Sequence, residues 1–184
     1  MPSTSSAQLA RMRVSEQSCL VFIENGYDLT VTQLCQQLGV PERTFYNYFP
    51  TKPDVVRPVL DAGIRVIAES LGDESLDLTD AMAAGFARAL WGDHGVYTRR
   101  LVPLLMSEPA LYAVWLSTIR DFETALLPGV ADRLGVGFDT LRARILSATL
   151  VAAVRMSFEH MATHGSDPIE TFTEAMAIIA PSTR

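Results

Sequence analysis

The sequence is poor in the residues that build stapled, metal-bound or strongly basic proteins. It has two cysteines, three histidines and a single lysine, Lys52, in 184 residues. Cys19 and Cys35 sit inside apolar helical patterns and form no CxxC pair, which excludes a disulfide framework and suits a reducing compartment. No apolar run is long enough to span a bilayer before Arg, Glu or Pro interrupts it, and the opening residues MPSTSSAQLARMR lack a signal-peptide core. The expectation is a cytoplasmic protein with no membrane contact. Alternating strand patterns, internal repeats, and the GxSxG, P-loop and dinucleotide-binding fingerprints are also missing, so neither catalysis nor a cofactor is expected.

What is present is an apolar, helix-patterned chain, 48% hydrophobic and 20% charged. At this length roughly 70% of the unfolded surface can leave water on folding. The net charge of -6 is unevenly placed. Residues 1–60 are neutral overall, with five basic groups (Arg11, Arg13, Arg43, Lys52, Arg57) against five acidic ones, so the remainder carries the whole excess.

Apolar spacing predicts about nine helices. Val14, Ser18, Val21 and Phe22 share one face of a first helix of about four turns that stops at Asn25-Gly26. Thr30 and Gln33 form a T-x-x-Q capping box before a short helix ending at Gly39. Pro41 suits the first position of a third helix over Glu42 to Tyr48. Thr51-Lys52-Pro53-Asp54 starts a fourth, which Pro58 should kink or delay. Thr79 is expected to open a fifth helix through Trp91, a sixth covers Val96 to Met106, and a seventh from Pro109 is expected to break at Pro128-Gly129. A long helix over Asp139 to His164 and a last one from Asp167 complete an all-α chain.

Two short helices joined by a Gly-containing turn within Thr30 to Phe49 have the dimensions of a helix-turn-helix, whose second helix can enter the DNA major groove. Val31, Leu34, Cys35, Leu38, Val40, Phe45 and Phe49 supply a shared core for three helices and leave Glu42, Arg43, Thr44, Tyr46 and Asn47 to face outward. Arg43 has the geometry to read guanine, Asn47 adenine, Thr44 a base edge or thymine methyl, and Glu42 can accept from cytosine.

The string Asn25-Gly26-Tyr27-Asp28, Thr30-Val31, Leu38-Gly39-Val40-Pro41 and Arg43-Thr44-Phe45-Tyr46-Asn47-Tyr48-Phe49-Pro50-Thr51-Lys52 closely resembles the TetR family of bacterial one-component repressors. The resemblance is specific over Val14 to Val56 and implies a helix-turn-helix domain over 1–56 and an effector-binding and dimerisation domain over 57–184. It places Thr30, Tyr46, Tyr48 and Lys52 at positions that commonly touch phosphates of double-stranded operator DNA. Two departures stand out: Pro41 replaces the usual polar cap of the recognition helix, and Lys52 is the only lysine. Both imply modest, salt-dependent affinity.

In the C-terminal part, Phe86, Trp91, Tyr97, Leu101, Trp115, Ile119, Phe122 and Met156 are candidates either for plain core or for the walls of an effector pocket. Arg155 is a candidate for an effector carboxylate or phosphate, or for a pair with a nearby acid. The resemblance implies a homodimer through the last two helices, where Ala148 and Ala152 permit close approach. It also implies a small hydrophobic effector, an acyl-thioester or fatty acid, because Arg99-Arg100-Leu101, Ser107-Glu108-Pro109-Ala110-Leu111 and Trp115 are similar to actinobacterial members with such ligands. The alternatives are a helical metal protein or enzyme using Glu159, His160 and His164, and a DNA-binding adaptor with a protein partner. With only His94 besides the two helical histidines, the expectation is no metal.

Overall fold

The computed structural model describes residues 5–92 and 95–179, without the side chains of 95–98 and 179. Among these residues it has nine α-helices and no strand. A long helix and two short ones come first: α1 (Ser6–Asn25), α2 (Val31–Leu38) and α3 (Glu42–Tyr48). A 3-10 turn, Pro53–Val56, leads into α4 (Arg57–Ser70), followed by α5 (Leu78–Trp91), α6 (Gly95–Ser107), α7 (Pro109–Leu134), α8 (Leu141–His164) and α9 (Pro168–Ile179).

Local chemistry explains most of the boundaries. At the start of α2 the Thr30 hydroxyl accepts from Gln33 N (3.2 Å) while Gln33 Oε1 accepts from Thr30 N (2.8 Å), which satisfies two donors that the first turn would leave free. Gly39 ends α2 in the left-handed region (φ 64°), where a β-carbon would be strained. The first helix is longer than its apolar face suggests, because Ser5 and Gln8 form a second capping box that starts it just over two turns before the first buried position, Val14. Pro41 occupies the cap of α3 rather than its first turn, and no side chain caps that helix. Pro58 delays α4: the chain makes the 3-10 turn first, braced by Thr51 Oγ1 donating to Asp54 Oδ2 (2.6 Å).

Two further expectations are corrected. The cap of α5 is Asp77, whose carboxylate accepts from Asp80 N (2.8 Å), so Leu78 and Thr79 already lie in the helix. Pro128-Gly129 does not break α7, which runs on to Leu134. The helix survives the lost Pro128 donor because the segment is packed: Leu126, Val130 and Ala131 are buried, and Gly129 lets Leu71 come so close that a β-carbon there would fall 2.9 Å from Leu71 Cβ. One turn further on, the Arg133 guanidinium donates to the carbonyls of Leu71 (2.8 Å), Leu76 (2.6 Å) and Asp73, clamping the α4–α5 connector onto α7.

The core is continuous from the small N-terminal bundle into the larger one. Phe22, Leu34, Phe45 and Phe49 fill the first, and Phe86, Leu101, Trp115, Phe122, Phe158 and Phe172 the second. Helix α4 packs on α5 and α7, α7 on α8, and α8 on α9, while α1 meets α6 and the 3-10 turn meets α7. Among the described residues no single helix is long and apolar enough to cross a membrane. The α6–α7 pair passes such a test only jointly, and it is bent by 115° with Leu101, Leu105 and Leu111 in the core.

Candidate nucleic-acid interface and ligand cavity

The recognition surface follows from which side of α3 the core consumes. Phe45 and Phe49, one turn apart with centroids at 5.3 Å, are fully buried against α1 and α2. That leaves Glu42, Arg43, Tyr46 and Asn47 exposed and Thr44 half-buried, so Arg43, Tyr46 and Asn47 stand at i, i+3 and i+4 on one outward face. Thr30 is exposed at the α2 start, and Tyr48 is half-buried at the α3 end. Its carbonyl accepts from Arg11 Nε (3.3 Å), and the Arg11 guanidinium lies 5.5 Å from the Phe49 ring centre. Arg11 thus fixes α1 to the end of α3, a contact without local sequence signal.

Lys52 is placed differently from its neighbours. Its ammonium donates to the Tyr27 carbonyl and lies 3.7 Å from the Tyr27 ring centre. Burial lowers its pKa, an effect opposed by the nearby Asp28 and Glu108 carboxylates. The same enclosure raises the Tyr27 pKa, with Glu108 and Asp54 adding to it. Glu108 immediately precedes α7, so the lysine, the α1–α2 turn and the C-terminal bundle meet at one point.

Arg57 at the head of α4, where the chain leaves the N-terminal bundle, ties α4 to α7. Its guanidinium donates to Ser117 Oγ (3.1 Å) and to the Asp121 carboxylate on α7, and lies 3.8 Å from Asp61 one turn along. Burial raises the Asp61 pKa against the pull of Arg57, Arg11 and Arg65. Ser15 Oγ adds a buried bond from α1 to the Val55 carbonyl (2.5 Å).

Above this junction the seam between α4 and α7 holds a cavity of about 40 Å³. Its buried wall includes Ile67, Trp115, Phe122, Val154 and Phe158, and half-buried Gly63, Ile64 and Ile119 form its edge. Trp115 meets Phe158 edge to face at 5.4 Å. Two wall side chains are polar. Thr118 donates to its own helix at Val114 O (2.9 Å), whereas the Trp115 indole N–H is buried without a partner among the described residues.

Of the pocket candidates, Trp115, Ile119 and Phe122 come together here. Phe86 and Leu101 are buried in the neighbouring core; Phe86 stacks edge-on to Phe158 at 5.1 Å. The side chain of Tyr97 lies outside the described residues. Trp91 is a surface residue, 58% exposed, with the Arg99 guanidinium 3.9 Å from its ring centre. Met156 also faces outward. Arg155 makes the acid pair that was the alternative reading: Nη1 reaches both Glu159 oxygens at 2.6 and 2.7 Å. Glu159 is thereby occupied, the stacked His160 and His164 rings share Nδ1 contacts with Ser166 and Thr163, and no group of three potential ligands among the described residues is arranged to hold a metal. Ala148 and Ala152 are half-buried on α8, in line with the exposed Leu141, Ile145 and Met156.

A helix-turn-helix bundle with an outward-facing α3, set on a larger helical bundle, defines a DNA-binding regulator. A profile described as bacterial regulatory proteins, tetR family, matches residues 17–58, and one described as the MftR C-terminal domain matches residues 76–184. The chain belongs to the TetR family of transcriptional regulators. No curated protein gives a significant match. Solved structures share the fold at low identity. A TetR-family regulator from Rhodococcus sp. is 14% identical with a TM-score of 0.62, covering 93% of this chain and 97% of its own. One from Streptomyces coelicolor is 13% identical with a TM-score of 0.60, covering 94% and 83%. The Thermus thermophilus repressor FadR in complex with lauroyl-CoA is 17% identical with a TM-score of 0.61, covering 95% of both chains.

Proposed function

We propose that this TetR-family regulator is a homodimeric cytoplasmic repressor that leaves its operator when a small hydrophobic effector enters between α4 and α7. Residues 1–56 act as the reader and 57–184 as the sensing and pairing part. Arg43, Thr44, Asn47 and Glu42 face the bases, and Thr30, Tyr46 and Tyr48 the phosphates. No step of this function needs catalysis, a metal or a cofactor.

The observation that carries the reading is the position of the cavity. It lies in the same α4–α7 seam that Arg57, Ser117 and Asp121 close at the reader's end. At about 40 Å³ it is little larger than the volume of one water molecule, roughly 30 Å³. A ligand therefore fits only if α4 and α7 separate, which makes ligand affinity a measure of that separation. Turning a mostly bound population into a mostly free one needs about 5.5 kcal/mol of differential affinity. At about 0.8 kcal/mol per buried methylene, roughly seven methylenes supply it, the length of a medium acyl chain. The related fold that holds lauroyl-CoA in FadR supports an acyl ligand.

Pairing is supported by the α8 face on which Leu141 and Ile145 are 73% and 56% exposed, beside the small Ala148 and Ala152. Apolar side chains at such spacing suit an isologous helix interface, and two readers double the few base contacts that one can make.

The test is a gel-shift titration with the promoter next to the gene, repeated with saturated fatty acids and acyl-thioesters of increasing length. Release that strengthens with chain length supports the switch. Ligands that raise the melting temperature yet leave DNA binding unchanged would sink it.

A further inference from the structure

We infer that the α4–α7 cavity selects effectors that bring a neutral hydrogen-bond acceptor, a carbonyl, ester or thioester oxygen, to the indole N–H of Trp115. The inference rests on the proposed effector site and adds which chemistry that site admits.

Apolar side chains make up nearly all of the wall, and none of the residues lining it is charged. Thr118 has spent its proton on the Val114 carbonyl, so its hydroxyl can only accept. Trp115 is the other polar wall residue; it is 4% exposed, and its Nε1–H has no partner among the described residues. An indole N–H is a donor only, and an unmet buried donor is costly, so native structures nearly always satisfy one. A ligand oxygen arriving there regains a bond that the empty protein forgoes, whereas a purely aliphatic ligand leaves it unmade.

A carboxylate fits less well. Its charge would need a cation in the wall, and the candidate on α8, Arg155, holds both oxygens of Glu159 and does not line the cavity. The acidic end of a fatty acid would have to stay in water, so an esterified or thioester-linked acyl group is favoured over the free acid.

The probes are 2-heptanone, n-heptane and heptanoate at pH 8, titrated by ligand-observed NMR against the full-length protein and its Trp115→Phe variant, which keeps an aromatic ring and removes the donor. Because the ketone gives up more hydration than heptane, the reading is the ketone-to-heptane affinity ratio, which should be roughly five- to tenfold higher in the wild type than in Trp115→Phe, the usual effect of one neutral hydrogen bond. Heptanoate should bind more weakly than the ketone. In Trp115→Phe the ketone should weaken by that factor, because its oxygen is then buried without a donor, while heptane affinity is kept. A second measurement does not depend on that variant folding: in Trp91→Phe the one remaining indole N–H resonance should move downfield with 2-heptanone and stay in place with heptane. A ketone-to-heptane ratio unchanged by Trp115→Phe, or tightest binding of heptanoate, would overturn the acceptor rule and leave the effector site standing. Failure of every probe to bind would remove the site and the rule together.

Discussion

The side chain of Lys52 closes on the Tyr27 carbonyl, with its ammonium 3.7 Å from the centre of the Tyr27 ring. The only lysine in the chain is thereby engaged by the α1–α2 turn. In this arrangement it braces the reader and does not reach for a phosphate. Lys52→Met should lower unfolding free energy by about 1–3 kcal/mol, from one charge-assisted hydrogen bond and one cation–π contact. Urea denaturation measures this. The salt dependence of operator binding should keep its slope; a drop of about 1.8, one phosphate contact from each of the two readers, would show that Lys52 leaves Tyr27 for the DNA.

Arg43 and Tyr46 stand one turn apart on the open face of α3, and their roles separate by sequence dependence. Arg43→Ala should cost roughly 1–3 kcal/mol of operator affinity and relax the preference at one base pair, as loss of a bidentate guanine contact would. Tyr46→Ala should weaken all sequences about equally. Titrations across single-base operator variants distinguish the two patterns, and an Arg43→Ala profile parallel to that of wild type would remove Arg43 from base reading.

Much of this architecture was legible because the signals were local. Thr30 and Gln33 announced α2 by spacing, Gly39 ended it, and Phe45 and Phe49 declared the inner side of α3. The same S-x-x-Q signal at Ser5 and Gln8 starts α1, but it precedes the apolar positions instead of adjoining them, so apolar spacing alone does not point to it. Pro128-Gly129 misled for the opposite reason. A Pro-Gly pair breaks helices locally, and only the long-range contact of Gly129 with Leu71 explains why this one continues. The cavity candidates were mixed for a related cause. Aromatic and sulfur side chains mark burial in general, but the sequence does not say which of Trp91, Trp115 and Met156 points inward. Only Trp115 does. Likewise, the spacing of Arg155 and Glu159 at i and i+4 allowed a pair without excluding a ligand role, and the geometry shows the pair.

Asp61 gives the junction a pH dependence with a definite sign. Burial outweighs the attraction of Arg57, Arg11 and Arg65, and Asp121 adds repulsion, so its folded pKa lies above the ordinary 3.8. The folded protein thus holds this proton more tightly than the unfolded chain. The group's favourable contribution is complete below pH 3.8 and is lost as pH rises through the raised value. At neutral pH the ionised Asp61 is a net cost. Asp61→Asn should therefore be somewhat more stable than wild type at pH 7, with the difference shrinking as pH falls towards 4. Urea midpoints for both proteins between pH 4 and 7 check the trend, and a variant less stable than wild type at pH 7 would mean that the Arg57 pairing outweighs burial.

The pairing face makes the last prediction. Leu141, Ile145, Ala148, Ala152 and Met156 recur at spacings of three and four along α8, and none of them belongs to the buried core. A second copy of the same face would cover them, with Ala148 and Ala152 letting the two helices approach closely. Arginine at both alanine positions would set like charges against each other across a two-fold axis and bury neither comfortably. The Ala148→Arg, Ala152→Arg protein should keep its helical circular dichroism, because these side chains lie at the surface of the fold, and should run as a monomer in light scattering at micromolar concentration. Binding to a palindromic operator should then fall by several orders of magnitude, since each reader would have to hold its half-site alone, while a single half-site should be bound as weakly as by wild type. A double variant that remains dimeric would place the interface on another face, and a wild-type protein that is already monomeric would remove the two-reader arrangement altogether.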